Sequence, residues 1–386
     1  MGNLSFIYAD NAATTPLLPE AAQAMAPYYT ECFGNPSSPY AAGRRAKTAL
    51  ENARQTAASL LGTQKSELFF TSGGTESNNW AIRSVLQMKA AENKRHLIVS
   101  SIEHPSVLKL AQEYERRGGS VTFLPVGENG IVDPDSLRHA LTPSTALVSV
   151  MAANNEIGTL QPIEALGRIC REAGVLFHMD AVQAVGHIPL DLSALPVDLL
   201  SFSGHKFGGP KGIGGLFIRS GILLPPLLLG GEQEREKRPG TENVPAIAGL
   251  ACALESACRS MDANSRRVLA LRERLIDGAL KIPGSSLNGD RRQRLPGNAN
   301  FCFEGIEGES LLLMLDMRGI CCSSGSACST GAADPSHVLL ALGIPRELAR
   351  SSLRVTLSHL NTAAEVDRIL RTLTECIDRL RGFRPV

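Results

Sequence analysis

Short apolar runs rich in β-branched and aromatic residues alternate, over the first two-thirds of the chain, with longer stretches whose apolar positions recur every three or four residues. The first pattern predicts buried strands and the second amphipathic helices, and their alternation is that of βα units around a mainly parallel sheet. The strand candidates are ELFFTS at 67–72, HLIVSS at 96–101, VTFLPV at 121–126, ALVSVMAA at 146–153, VLFHMDA at 175–181, VDLLSFSG at 197–204 and GGLFIR at 214–219. Between them, SPYAAGRRAKTALENARQTAASLLG predicts a long helix closing on Gly62, and TESNNWAIRSVLQMKAAEN predicts one entered directly from a strand. After residue 258 the rhythm changes to a charged amphipathic helix (SRRVLALRERLIDGAL), a turn-rich stretch (SSLNGDRRQRLPGNANFCF) and a return to helix and strand through ESLLLMLDMRG. A smaller C-terminal domain beginning there is the simplest organisation.

Composition narrows what such a chain can do. At 386 residues with 43% hydrophobic content it can bury a large core, and two domains are expected. Its 39 basic and 38 acidic residues leave a formal net charge of +1, which offers no electrostatic footprint for nucleic acid or an anionic membrane, so small ligands are expected. Nine cysteines is an odd number and none forms a C-x-x-C pair, so neither a disulfide framework nor a thiol-rich metal site is indicated. The segment MGNLSFIYADNAATT lacks a basic stretch followed by an apolar one, and the run GILLPPLLLG at 221–230 is short and broken by two prolines. A cytoplasmic protein without a membrane span is the expectation.

Three segments carry chemistry. In TSGGTESNN a strand ends in Gly73-Gly74 and a helix starts near Thr75; helix N-termini present unpaired N–H groups, and glycine lets the backbone approach an anion such as phosphate. A tight connection of the same composition needs no ligand, and the nucleotide P-loop pattern is absent. In FHMDAVQAVG, His178, Asp180 and Gln183 stand at the carboxyl end of an apolar strand, where open α/β sheets bind ligands. In SFSGHKFGGPKG, Lys206 follows a strand beside Ser203 and His205. A lone loop lysine is ordinarily a solvated charge. A lysine to attach the cofactor covalently, an aspartate for the pyridinium nitrogen and a phosphate cradle are together what pyridoxal phosphate chemistry requires.

The chain resembles the NifS/IscS-like cysteine desulfurases, of the class V aminotransferase family of fold-type I pyridoxal-phosphate enzymes. The likeness runs nearly end to end through YADNAATTP, FGNPSS, TSGGTESNN, EHPSVL, NNEIGTLQPI, HMDAVQAVG, SFSGHKFGGPKGIG, RPGTEN, SSGSACSTG and SSLRVTLS. It implies an α/β fold, with a large cofactor domain over 16–258 and a small domain formed by 1–15 with 259–386. It implies that Lys206 holds the cofactor and moves the substrate's Cα proton. Asp180 would pair with the pyridine nitrogen and Gln183 with the phenolic oxygen, while Gly74, Thr75, Ser203 and His205 would hold the phosphate. His104 would stack on the ring, though a strand-end histidine before Pro105 is equally read as a cap. Asn154 would lie against substrate and cofactor, and Arg354 would clamp the substrate carboxylate, a task to which a bidentate guanidinium is suited. Thr241, in RPGTEN, would reach the phosphate of a neighbouring subunit, making a homodimer part of the site.

Within CCSSGSACSTG at 321–331 the family's nucleophile falls on Cys328, on an arm of small residues expected to move. Cys321 and Cys322 follow an apolar run, so at least one should point inward as packing. The implied reaction removes sulfur from L-cysteine, leaving L-alanine and a persulfide on Cys328 for a sulfur-acceptor protein, such as a NifU/IscU-like iron–sulfur scaffold, or for a tRNA-thiolation relay. Tyr40 stands where the family often has histidine, and the chain stops at RLRGFRPV without the longer tail of some IscS members. A selenocysteine lyase, a class V aminotransferase and a non-catalytic sulfur-relay subunit share parts of the pattern. Intact Lys206, Asp180 and Arg354 argue against the relay subunit, and the SGSAC loop against amino transfer.

Overall fold

The structure, a computed structural model, describes residues 6–324 and 334–382. The strands among them are β1 (Ile7–Tyr8), β2 (Leu68–Thr71), β3 (His96–Ser100), β4 (Ser120–Leu124), β5 (Thr145–Ser149), β6 (Leu176–Asp180), β7 (Leu199–Ser203), β8 (Gly214–Ile218), β9 (Ser285–Leu287), β10 (Asn298–Phe303), β11 (Ile320–Cys321) and β12 (Ser352–Thr356). The seven runs picked out by periodicity are the seven strands of one sheet, ordered β2-β8-β7-β6-β5-β3-β4. All but β8 run in one direction, and β8 pairs antiparallel with β2 and β7.

Alternation along each strand explains why those runs are apolar throughout. Leu97, Val99, Leu147, Leu199 and Leu216 face the helices Gly74–Ala90 and Pro105–Arg116 through Trp80, Ile82, Val85 and Leu110. Their neighbours Ile98, Val148, Phe177, Leu200 and Phe217 face the helices Ala41–Leu60, Ile163–Glu172 and Val244–Arg259 through Leu50, Ala57, Leu166, Leu250 and Leu254. A sheet covered on both faces has no polar side to show.

A second core lies in the C-terminal third. Antiparallel strands β12-β10-β9 and the helices Met261–Ala279, Gly308–Asp316 and Ala363–Gly382 enclose Phe301, Phe303, Leu353, Val355, Leu275, Leu315, Ile369 and Leu373. The turn-rich reading of 285–303 needs correcting here, because both ends of that stretch are strands. In β10, Ala299, Phe301 and Phe303 point inward while Asn298 and Asn300 alternate with them, a period of two hidden by the preceding Gly, Pro and Arg residues.

The first residues join the two cores. Strand β1 pairs parallel with β11 in the second core. Thr356 then donates its N–H to Ala9 O at 2.7 Å and accepts from Asn11 N at 3.3 Å. The chain next crosses to the large sheet, where Thr15 N reaches His205 O and Leu18 N reaches Gly208 O, each at 2.9 Å. Residues 10–15 are thereby held against the end of β7.

Candidate active site

Strands β2, β6 and β7 deliver their carboxyl ends to one corner. Gly73, after β2, has φ 151° and ψ −178°, a conformation only glycine adopts without strain. A Cβ built on it would lie 3.6 Å from Ser203 Oγ at the end of β7, and one on Gly74 would strike Val182 Cγ2, just past β6, at 2.5 Å. The helix from Gly74 starts here, and its first-turn N–H groups have no partner within the helix. Thr75 is exposed in that first turn, while Ser203 is buried.

Asp180 ends β6 and is nearly fully buried, its charge met by two donors: Val182 N at 2.9 Å to Oδ1 and Asn78 Nδ2 at 2.7 Å to Oδ2. Asn78 also donates to Ser106 Oγ at 2.9 Å, and Ser106 Oγ lies 2.8 Å from His104 Nδ1. Asn78 Oδ1 is buried without a partner among the described residues. His104 caps the helix Pro105–Arg116, with Nδ1 accepting from Ser106 N at 3.1 Å, so the cap reading holds. Burial chiefly lowers the His104 pKa; nearby Asp180 pulls it up, while Lys206 and His337 push it down. A neutral ring with its proton on Nε2 satisfies this geometry.

Lys206 lies in the single turn Gly204–Lys206 after β7, and its Nζ donates to Ala12 O at 2.6 Å and Ala13 O at 2.9 Å. Gln183 Nε2 reaches the same Ala12 carbonyl at 2.9 Å. His205 Nδ1 sits 3.1 Å from Thr14 Oγ1, and burial, with Lys206 and Lys211 adding to it, brings its pKa down to about 4. The N-terminal crossing segment is therefore a wall of the site, one that no spacing in the sequence indicates because it lies 194 residues from Lys206.

Arg354, on β12, is 2% exposed and donates from one terminal nitrogen to Asp10 Oδ1 at 2.7 Å and from the other to Asn155 O at 3.0 Å. Its Nε is buried and unpartnered among the described residues. Asn154 is wholly buried and uses its amide to shape the backbone, donating to Ile102 O and accepting from the N–H groups of Glu156 and Ile157. Beside it Glu103 is also fully buried; Oε1 accepts from Ser100 Oγ and Met151 N, and Oε2 has no partner among the described residues. Burial, reinforced by Asp180, raises its carboxyl to about 8 despite those two bonds, so it is a neutral acid at pH 7.

His178 belongs elsewhere. It bridges Ser149 and Ser201 on the flanking strands at 2.8 and 2.9 Å, and burial drives its pKa to about 3, making it a neutral spacer within the sheet. Thr241 is exposed on the surface of the single chain. Cys328 and most of the 321–331 arm lie outside the described residues. Of the two preceding thiols, Cys321 lies on β11 and Cys322 packs against the second core, where burial first, then Asp10 and Cys321, push its pKa to about 12. No local signal marks out Asp10, Asn78, Glu103 and Ser106, although each lies inside or beside a quoted motif.

Comparison with known proteins follows the same outline. The family described as aminotransferase class-V matches residues 7–369. The chain is 51% identical over 380 residues to a protein named cysteine desulfurase IscS from Methanosarcina thermophila, covering 98% of this chain and 94% of that one. It is 47% identical over 386 residues to one of the same name from Clostridium botulinum, covering 98% and 96%. Among solved structures it is similar to a NifS-like protein, with TM-score 0.92, 38% identity, and 97% of this chain and 100% of that one covered. It is also similar to DndA from Streptomyces lividans, with TM-score 0.79, 37% identity, and coverage of 91% and 99%. This chain belongs to the aminotransferase class-V family.

Proposed function

We propose that the corner between β2, β6 and β7 is the active site of a pyridoxal-phosphate-dependent cysteine desulfurase. The observation that carries this is the convergence of Lys206 and Gln183 on one carbonyl, while Asp180 is tied through Asn78 and Ser106 to His104. The donor set suits the cofactor: a lysine amine, a buried carboxylate, a histidine ring and, beside Ser203 Oγ, a glycine turn whose backbone conformation leads into a helix N-terminus.

When bound, pyridoxal phosphate supplies an electron sink for a negative charge developing at the substrate's Cα. Lys206 would hold it and carry the Cα proton. Asp180, its charge fixed by two donors, would keep the pyridine nitrogen protonated, and Gln183 would donate to the phenolic oxygen. Gly74, Thr75, Ser203 and His205 would receive the phosphate, His205 as a neutral donor given its low pKa, with Thr241 of a second copy completing a dimeric site. His104 would present its ring with Nε2 protonated. Arg354 would take the substrate carboxylate, with Asn154 holding the adjoining backbone.

The Cys328 thiolate would attack the sulfur of L-cysteine. The carbon–sulfur bond breaks, alanine leaves, and the sulfur remains on Cys328 as a persulfide for an acceptor protein of the iron–sulfur scaffold kind. The division into residues 16–258 and residues 1–15 with 259–386, a homodimer and a cytoplasmic location complete the proposal. Among the described residues no helix is long and apolar enough to cross a membrane.

The test supplies L-cysteine and a reductant and measures alanine and sulfide. Wild type is expected to make both, Lys206→Ala neither, and Cys328→Ala no cysteine-dependent sulfide. A yellow, cofactor-bound protein that makes no alanine would overturn the assignment, and full activity of Cys328→Ala would remove that residue as nucleophile.

A further inference from the structure

Beside the edge strand β2, the chain adopts a conformation that L-residues avoid. Glu234, Arg235 and Glu236 have φ of 49°, 58° and 63°, three successive non-glycine residues in the left-handed region, each of which carries a conformational cost. Such a turn persists only where its surroundings hold it. Here Arg54, 3% exposed at its side chain, grips Glu234, 2% exposed, by a two-pronged pair at 2.6 and 2.8 Å. Glu234 Oε2 also accepts from Phe70 N at 2.9 Å, and Leu68 O accepts from Arg54 at 3.0 Å and Arg235 at 2.6 Å. Strand β2 is the edge of the large sheet, and these side chains take the place of a further strand along its open side.

What the turn delivers is Arg238. Its guanidinium meets both oxygens of Glu76, at 2.9 and 3.2 Å, in the first turn of the helix that begins at Gly74. Glu76 in turn accepts from Ser72 N at 2.9 Å, just ahead of Gly73. A carboxylate in the first turn suits the helix dipole but repels a phosphate dianion at the same N-terminus, and a guanidinium set across it removes that repulsion.

Resting on the pyridoxal-phosphate reading above, we propose that the left-handed turn clamped by Arg54 is a positioning device that holds Arg238 on Glu76 and so keeps the cradle receptive to a phosphate. Glu234, Arg54 and Arg238 are positioning residues, acting through Glu76 and Ser72, and what they control is the preference for a phosphorylated ligand. A residue that only stabilises the fold would affect binding of the vitamer with and without its phosphate alike.

The experiment titrates the full chain, stripped of cofactor, with pyridoxal 5'-phosphate and separately with pyridoxal. It reads the fluorescence of Trp80, the single tryptophan, which lies on the cradle helix. Glu234→Gln keeps the side-chain shape, and Arg238→Met keeps an unbranched chain of similar reach while removing a charge that is partly exposed. Both variants are expected to bind pyridoxal 5'-phosphate about tenfold more weakly, with pyridoxal binding unchanged to about twofold. Equal weakening of both ligands, or no change in either, would overturn the proposal. Wild-type protein that binds neither ligand would instead bring down the cofactor reading beneath it.

Discussion

Arg54 and Arg354 are both almost wholly buried and both paired with a carboxylate, yet their surroundings differ. Every guanidinium nitrogen of Arg54 has a partner: Nε reaches Glu51, both terminal nitrogens reach Glu234, and one also reaches Leu68 O. Arg354 keeps Nε buried and unpartnered among the described residues, and its Asp10 is partly open to solvent, 18% exposed at the side chain. An unused donor in a buried guanidinium costs free energy unless something else accepts from it. The Arg54 pair can only hold the chain around it in place, whereas the open Nε of Arg354 leaves room for a ligand to accept from it.

Substitutions can break that contrast. The largest effect is expected at the Arg54 pair, where Arg54→Ala strands a buried carboxylate and should lower unfolding free energy by about 3–5 kcal/mol. Denaturant titration reads the loss, and the KM for L-cysteine of the cofactor-loaded variant should not move. Arg354→Lys should do the reverse, lowering kcat/KM for L-cysteine about a hundredfold, since hydrogen bonds to a charged carboxylate contribute roughly 1.5–3 kcal/mol, while the melting temperature changes little. If Arg354→Lys loses stability instead of cysteine affinity, the contrast between the two arginines disappears.

Smaller effects sharpen the same contrast through other buried groups. The folded-state pKa of Glu103, about 8, lies above the usual carboxyl value, so between about 4.3 and 8 the folded chain binds the extra proton and stability falls as pH rises. Glu103→Gln removes this dependence, and its stability relative to wild type, by urea unfolding, should rise from pH 5 to pH 8. His178 has the opposite sign, with a folded pKa near 3, below an unfolded value of about 6.5. In that window the unfolded chain binds more protons, so wild-type stability should fall as pH drops below about 6.5, and His178→Gln should reduce the slope. Asp10→Asn should have the smallest effect, lowering the KM for L-cysteine a few-fold by freeing Arg354 from a competing carboxylate.

Much of this was legible from the chain because the signals are local. Continuous apolar runs marked the seven strands, since a sheet buried on both faces leaves the same signature whatever its order, and Asp180, Lys206 and the Gly73-Gly74 turn stand at the ends of such runs. Strand β10 resembles turn in the sequence because its inward Ala299, Phe301 and Phe303 follow a Gly/Pro/Arg stretch that masks their alternation. His178 sat beside Asp180 in the same motif, and only the register of β5 and β7, which places Ser149 and Ser201 on either side of it, removed it from the site.

By itself the sequence determined the α/β class, the three strand ends with their chemistry and, through resemblance, the cofactor and reaction. Residue type and short-range spacing are enough for those. Only the tertiary structure decided what each polar group faces. It placed Ala12 O against Lys206 across 194 residues and Asp10 against Arg354 across 344. It also held Glu234 in a left-handed turn that its residue type disfavours. Contacts of that range depend on how the two cores close on each other, and the free energy of a buried charge is set by those closing partners rather than by its neighbours in the chain.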